Sequence, residues 1–545
     1  MPLAQISDRS KSAQLSWQFD ADIPQNLSLM LEEKARLLRS DAALILPHPE
    51  IEEIGDNFRS LAFHDLVLEQ NAWVNYLSNR GVKKGNIVVV WLPYSLSFVA
   101  VSYALFKIGA QAVILDPEFN WKVGYKEVQK REPAHMIGTS SKLTYSKFIG
   151  GRSSGSLNRI EVEDPHARVG SVIRSLKARS TFWQQEVHLT LLKTDGHRCD
   201  AASFGQEQLG RLASLYKDWF GLKGGDRGLA GNLLEAILFP AAGLTSLIVV
   251  EQISNSSLQS AKSVMKAVER FNLELVSGDA LFWRKVSRLA ISKDFSRSVS
   301  FQALIRGSHL CDCSLDTIKA ALPNVSMNLI FGSFRNPFIA SRIWERRNER
   351  KQSLKDFRGV YIGEPLPGLQ ISIVSSKAIR WKEEPEAATD VGEISVANQD
   401  YAPLSDRNCW NRSGELGFFD RQGRLWYCGS KRDIISSSFG GFCPTRCEIV
   451  FNRHPRVKRA IVIGLTKNGK TRAGVVIETE FGDTPKRGIE ESRFKAQLLQ
   501  TAAHCEETSI ILDIFFSDRL PLEEGSLDSV DRSRLATEYS RRISH

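Results

Sequence analysis

Cysteine is scarce in this chain, with 8 in 545 residues. A disulfide framework needs a denser set in a shorter chain, and structural zinc sites draw on tightly spaced pairs. Cys443 and Cys447 have His504 and Cys505 downstream as candidate co-ligands, but no second Cys-x-x-Cys pair supports them, so no metal site is predicted. Long hydrophobic runs are also missing. The two most apolar stretches, residues 88–115 and 236–250, are broken by Pro93, Lys107, Gly109, Pro240 and Gly243, and neither supplies the roughly 20 uninterrupted apolar residues that spanning a bilayer requires. No integral membrane segment is expected. Residues 1–27 hold no apolar signal core, which together with the few cysteines leads us to expect a reducing, cytoplasmic setting. Charge of one sign is nowhere concentrated. The net charge of +10 is spread on both sides of Ser430, which argues against a basic tail or a nucleic-acid arm. The densest basic stretch, residues 342–351, is interleaved with Glu345 and Glu349 and reads as a solvated helix or loop.

What is present is an ordinary globular balance, 42% hydrophobic and 25% charged, in a chain long enough for more than one core. The clearest pattern runs from Gly85 to Pro117. Ile87-Val-Val-Val-Trp-Leu92 is a buried-strand run, Pro93-Tyr-Ser95 interrupts it, and Phe98, Val101, Leu105 and Ile108 then recur at helical spacing before Gly109. Ala112-Val-Ile-Leu115 supplies the next strand. A strand, a helix and a second buried strand in about 30 residues form a βαβ unit, so a helix-covered parallel sheet is predicted. The rhythm returns at residues 247–250, 261–270 and 273–276, which makes the large part α/β.

A second pattern begins near Gly429. Residues 460–465, 473–478 and 510–516 read as strands and residues 489–503 as a helix, giving a small C-terminal α+β lobe. The predicted division is 1–428 and 429–545. Residues 436–441, rich in Ser and Gly and preceded by Lys431-Arg-Asp433, suggest a mobile junction, and residues 150–155 a flexible surface loop. No internal repeat of the main unit is found.

Three stretches carry a resemblance. They are the βαβ region leading to Asp116-Pro117; Gly359-Val-Tyr-Ile-Gly-Glu-Pro-Leu-Pro-Gly368 with Val391-Gly-Glu-Ile-Ser-Val396; and Trp410-Asn-Arg-Ser-Gly-Glu-Leu-Gly-Phe-Phe-Asp-Arg-Gln-Gly-Arg-Leu-Trp-Tyr-Cys-Gly429 with Phe451-Asn-Arg-His-Pro-Arg-Val457. Together they resemble the adenylate-forming superfamily of acyl-CoA synthetases, peptide-synthetase adenylation domains and luciferases. The wording is most similar to the β-lactone synthetases of olefin biosynthesis. The resemblance implies a large N-terminal and a small mobile C-terminal lobe, ATP or AMP as nucleotide, and a fatty or β-hydroxy acid as ligand, activated as its adenylate.

It also implies positions for the site, and several carry the wrong residue. The phosphate loop of the superfamily falls on Thr194-Asp-Gly-His-Arg-Cys-Asp-Ala-Ala-Ser203: Thr194 and Gly196 match, Cys199 stands for a glycine, and Ala202 stands for the lysine. An ordinary polar loop after the strand at 187–192 fits the same residues. The element whose glutamate holds Mg²⁺ falls on Phe331-Gly-Ser-Phe-Arg335; Phe331 and Gly332 keep the adenine-flanking character, but Arg335 cannot coordinate a cation. Mg²⁺ binding is therefore doubtful, and no metal ligand is assigned. Gly307, after Arg306, matches the glycine turn beside the adenine. Glu415, in Ser413-Gly-Glu415, stands where the superfamily's carboxylate takes the ribose hydroxyls. Ser430 replaces a nucleotide-facing arginine, with Lys431 and Arg432 adjacent. Ser529 falls where the C-terminal lysine belongs, and Arg532 is the nearest cation.

Two hypotheses follow. Either adenylation is lost or strongly altered, or a working ligase uses Arg198 or Arg335 in place of the missing cations. The four charge-bearing positions Ala202, Arg335, Ser430 and Ser529 all depart together, which favours loss. No protein partner is legible.

Overall fold

The computed structural model describes residues 26–47, 58–149, 157–166, 187–195, 198–249, 258–291, 299–307, 312–332, 336–344, 359–366, 369–375, 391–397, 410–437, 440–452, 454, 456–467, 469–479, 484–503, 506–521 and 530–544. The βαβ pattern becomes strand Ile87–Trp91, helix Leu96–Ile108 and strand Gln111–Leu115, the two strands pairing in parallel. Ser95 starts the helix by accepting a hydrogen bond from the Phe98 N–H at 3.2 Å, and Gly109, at φ +79°, ends it in the left-handed conformation that glycine tolerates without steric cost. Every side chain from Leu96 to Lys107 is buried. A helix apolar all round has no solvent face, so it must be covered on all sides. Helix Leu233–Ala242 is of the same kind, capped by Asn232 and stopped by Gly243.

Both helices lie between two sheets. One is a six-stranded sheet built around Ile87–Trp91 and Gln111–Leu115; the other is a large mixed sheet of thirteen strands among the described residues. Val88 and Val90 of the first sheet and Leu44, Leu275, Leu304 and Ile330 of the second share one buried cluster with Phe98, Leu105, Ile237 and Phe239 of the helices. Tyr103 Oη ties the helices together by donating to the Ile237 carbonyl at 2.5 Å. Truncating a residue such as Leu105 to alanine in this layer costs about 2–5 kcal/mol. The outer faces carry their own clusters, Val264, Trp283 and Ile318 on the large sheet and Trp91, Phe119 and Trp121 on the smaller one.

The middle of the large sheet is parallel: strands Arg227–Leu229, Leu275–Asp279, Gln302–Arg306 and Ser326–Phe331 run side by side. Antiparallel strands then extend it through Val360–Pro365, Leu425–Ser430, Asn411–Phe419 and Gly392–Ala397. Beyond Ser430 the chain forms a separate three-stranded sheet, Val457–Lys467, Lys470–Thr479 and Asp513–Ser517. Helices Pro444–Phe451 and Ile489–Ala502 contribute Phe451, Phe494 and Leu498 to the core on one face, and helix Arg532–Ser544 packs Leu535 and Tyr539 on the other. The fold is thus a mixed α/β assembly with a large N-terminal and a small C-terminal lobe. No helix among the described residues is long and apolar enough to cross a membrane.

In the stretch expected as a junction, Ile435–Ser437 pairs antiparallel with Gly440–Phe442. Two expectations are corrected. The strand expected over 510–516 starts at Asp513, because a helical turn at Glu506–Ser509 precedes it and Ile510 and Leu512 face solvent. The basic stretch at 342–351 is not solvated at its start: Arg342 lies in strand Ala340–Ile343, buried, its guanidinium 5.2 Å from the Trp344 ring and 5.1 Å from that of Tyr361. Cation–π attraction and the aliphatic stem make an interior arginine affordable there. Residues 345–351 and the expected loop at 150–155 lie outside the described residues.

Candidate functional site

Glu415 sits in strand Asn411–Phe419, opposite Ser430 across the hairpin whose turn is held by Asp420. Asp420 accepts from the Arg424 N–H at 3.0 Å and from Trp426 Nε1 at 2.9 Å, so the turn is rigid and the strand register is fixed. The Ser413 hydroxyl donates to the Ile394 carbonyl at 2.7 Å and accepts from the Glu415 N–H at 3.1 Å, which sets the backbone just before the carboxylate. Tyr427, on the partner strand, donates its hydroxyl to Glu415 Oε2 at 3.0 Å. Burial pushes the Glu415 carboxyl up to about 7, despite the opposing hydrogen bond from Tyr427 and the nearby Arg432. One carboxylate oxygen carries the tyrosine, and Oε1 remains for a ligand donor.

Phe331 reaches the same place through Tyr427, the two ring centroids 5.1 Å apart. Gly332 follows, and a Cβ there would lie 2.2 Å from the Pro337 carbonyl oxygen, so the backbone approach admits only glycine. Phe331, Gly332 and Glu415 thus meet at one end of the large sheet. Tyr427 joins them and was missed from the sequence, where it reads as one more aromatic of a strand. Gly307, at φ +115°, ends strand Gln302–Arg306 beside them in the parallel part of the sheet, with open space where its side chain would be.

The expected phosphate loop is a β-hairpin. Strands Val187–Asp195 and Arg198–Gly205 pair through Thr194 with Cys199 and Asp195 with Arg198, which leaves only residues 196 and 197 for the turn. Gly196 falls in those two, outside the described residues. Thr194 is buried and its hydroxyl accepts from the Asn120 N–H at 2.8 Å, so it pins a neighbouring loop. Ala202 pairs with Leu191 and is buried in the central cluster alongside Leu189 and Phe204. Arg198, Asp200, Ala202 and Phe204 share one face of the strand, which is exposed at Arg198 and Asp200 near the turn and buried at Ala202 and Phe204 further along. The position aligned with the superfamily's lysine therefore points into the hydrophobic layer, a correction to its expected place in a phosphate loop. Burial also pushes the Cys199 thiol up to about 11.

The cations near the other altered positions are engaged. Arg532 forms a two-armed pair with Glu448, Nη2 to Oε2 at 3.1 Å and Nη1 to Oε1, and donates to the Val462 carbonyl at 2.9 Å. Burial alone would lower the guanidinium, but the Glu448 carboxylate holds it above its ordinary value. Glu448 Oε1 also accepts from the Val462 N–H at 2.8 Å, so the pair joins helix Pro444–Phe451 to the small sheet. Lys431 Nζ lies 2.9 Å from Glu393 Oε2, and Arg412 stands 3.5 Å from the same oxygen. Lys431 is a partner of a buried carboxylate rather than a free cation in the nucleotide region. Arg335 and Ser529 lie outside the described residues.

Cys428, Cys443 and Cys447 are buried and not disulfide-bonded, Cys443 donating to the Cys428 carbonyl at 2.6 Å, while His504 and Cys505 lie outside the described residues. Among the described residues no group of three or more His, Cys, Asp or Glu is placed to hold a metal ion. Where the resemblance places the Mg²⁺-holding glutamate the sequence has Arg335, which brings no oxygen ligand. Phe331, Gly332, Tyr427 and Glu415 fit a nucleoside, with an aromatic and glycine surface next to a carboxylate acceptor.

No family profile matches the chain. Its sequence is similar to the olefin β-lactone synthetase of Xanthomonas campestris pv. campestris, 22% identical over 467 residues, which span 78% of this chain and 81% of that protein. In fold it is similar to the anthranilate CoA ligase AuaEII, solved in complex with anthranoyl-AMP, with a TM-score of 0.73, 18% identity, and coverage of 96% of this chain and 99% of that one. The amide bond synthetase McbA of Marinactinospora thermotolerans superposes with a TM-score of 0.73 at 16% identity, over 94% of this chain and 99% of that one.

Proposed function

Starting from a chain that is a homologue of the adenylate-forming superfamily, we propose that it binds a nucleoside and an organic acid in the superfamily's cleft but has lost, or strongly altered, the adenylation step. The lobes divide near Gly429 in this reading. The observation that carries it is the hairpin at Val187–Gly205, where Ala202 is buried in the hydrophobic layer and two residues are left for a turn that would have to wrap a triphosphate. A phosphate cradle depends on free backbone N–H groups and a cation. Here the N–H groups of the two strands serve the ladder.

Adenylation forms a bond between a carboxylate oxygen and the α-phosphorus of ATP and breaks the bond to pyrophosphate, so negative charge accumulates on three reacting groups at once. In the superfamily's pattern two lysines and a metal-holding glutamate offset it. In this chain Ala202 and Ser529 stand for the lysines, Arg335 stands for the glutamate, and Arg532 and Lys431 are held by Glu448 and Glu393. If each lost donor is worth about 3 kcal/mol, two that act independently slow the step by about 10⁴-fold. The nucleoside end is treated differently, because Glu415 Oε1 accepts from a ribose hydroxyl and Phe331 and Gly332 flank a base. Titration calorimetry tests this with adenosine, AMP and ATP: adenosine and AMP should bind no more weakly than ATP, and Glu415→Ala should abolish the binding. ATP affinity at least tenfold higher than that of adenosine, and dependent on Mg²⁺, would contradict it.

A further inference from the structure

The deepest charged group of the central layer is Glu235, fully buried in the apolar helix Leu233–Ala242. Three donors satisfy it. Tyr216 Oη and Ser277 Oγ donate to Oε1 at 2.7 and 2.9 Å, and the Gly231 N–H donates to Oε2 at 2.7 Å. Arg306, the last residue of strand Gln302–Arg306, lies near it without a hydrogen bond: its Nε stands 3.7 Å from Oε1, too far for one, and this buried Nε–H has no acceptor among the described residues. The guanidinium rests over Gly231, where a Cβ would come within 2.7 Å of Nη2. Its side chain keeps 24% of its surface accessible, whereas Glu235 keeps none. The fork is therefore seated and charge-balanced from behind, with its Nε–H unspent among the described residues.

The surroundings are the ends of parallel strands. Gly231 and Arg306 stand at or just beyond the carboxyl ends of parallel strands of the large sheet, and Ser277 lies within strand Leu275–Asp279 between them. Tyr94 and Asp116 stand just beyond the carboxyl ends of Ile87–Trp91 and Gln111–Leu115 in the other sheet. Tyr94 shares a buried cluster with Ala230 and Leu233 from the large sheet's side, and Asp116, Arg306, Glu118 and Glu235 act on it electrostatically. Crevices at strand carboxyl ends are where α/β sheets take ligands. Asp116 and Glu118 add negative charge on that side, and Lys142 and Lys193 act on both of them. Leaving a buried guanidinium N–H without an acceptor is costly, and a planar two-oxygen anion answers that fork.

We propose that Arg306 is the anion anchor at these strand ends and takes the carboxylate of an acid ligand, with Glu235, Gly231 and Ser277 as the groups that hold it in place. This rests on the reading of the chain as a nucleoside- and acid-binding homologue. The same chemistry would suit a nucleotide phosphate, and the test separates the two sources. Calorimetry on the full chain would compare decanoate and benzoate with their primary amides, and AMP with adenosine, in the wild type, in Arg306→Gln, and in the doubly neutral Arg306→Gln/Glu235→Gln, which leaves no buried carboxylate uncompensated if the single variant fails to fold. Each carboxylate should bind the wild type at least tenfold more tightly than its amide. That preference should vanish in the Gln variants, while adenosine affinity stays the same. Equal binding of acid and amide by the wild type, or an acid preference that survives in Arg306→Gln, would overturn the proposal. So would loss of the advantage of AMP over adenosine in place of the carboxylate preference, since the anchored anion would then be phosphate. Absence of adenosine binding, with the carboxylate preference intact, would count against the nucleoside reading alone.

Discussion

Lowering the pH from 8 to 6 should weaken adenosine binding by about tenfold, a prediction that follows from Glu415. Its carboxyl is pushed up to about 7 by burial, so it passes from mostly ionised to mostly protonated across this range. The ionised form offers Oε1 as an acceptor to a ribose hydroxyl while Tyr427 occupies Oε2, whereas the protonated form must place a proton on one of them. If only the ionised form binds, the apparent affinity scales with the ionised fraction, about one tenth at pH 6 and nine tenths at pH 8, a change of about 1.3 kcal/mol. The sign for stability is opposite. Because the folded-state value lies above the unfolded one, the contribution of this group to stability is fully present below about pH 4 and is lost as pH rises through 7. Adenosine is the right probe, since the second ionisation of a phosphate falls near 6 and would confuse the profile of AMP. Calorimetry at half-unit intervals, with Glu415→Gln as a weak and pH-flat comparison, reads the effect. A flat wild-type profile, or tighter binding at pH 6, would refute the role given to this carboxylate.

Arg532→Ala should destabilise the protein by about 3 kcal/mol in a denaturant melt, because it strands Glu448 without its two-armed partner; an unchanged midpoint would return Arg532 to the list of free cations. Ala202→Lys should cost several kcal/mol rather than restore catalysis, since its side chain enters the hydrophobic layer beside Phe204, and a stable variant with new pyrophosphate exchange would show that the hairpin opens. Tyr427→Phe should raise the Glu415 value further by removing the hydrogen bond that lowers it, and so shift the pH profile of adenosine binding to higher pH; a shift the other way would mean that Tyr427 acts otherwise.

The sequence made the scaffold legible where a pattern repeats over many residues. The recurrence of Phe98, Val101, Leu105 and Ile108 at helical spacing, with Ser95 before it and Gly109 after it, specifies a helix between strands with little help from the rest of the chain. The strand carrying Glu415 was legible from Ser413-Gly-Glu415 and the glycine-rich turn that follows. What stayed hidden depends on contacts between distant residues. Arg532 and Glu448 are 84 positions apart, and nothing local announces that one consumes the other. Lys431 and Glu393 are likewise joined only by the pairing of three strands. Residues 194–203 read as a polar loop because Asp195, His197, Arg198 and Asp200 crowd one segment; Ala202 continues the face of Arg198 and Asp200, and only its pairing with Leu191 in the neighbouring strand buries it. The resemblance drew attention to the motif and away from that pairing. Arg306 went unremarked as a charge because only the glycine after it matched.

Pyrophosphate exchange is the most direct measurement. Purified full-length protein is incubated with ATP, Mg²⁺, labelled pyrophosphate and a panel of fatty, β-hydroxy and aromatic acids, alongside an active acyl-CoA synthetase as the positive comparison. The expected result is no acid-dependent label in ATP above the no-enzyme rate, under conditions in which adenosine binding is intact. Robust acid-dependent exchange would contradict the account, and would make Arg198, Arg306 and Arg335 the first residues to replace in search of the cation that serves the reaction.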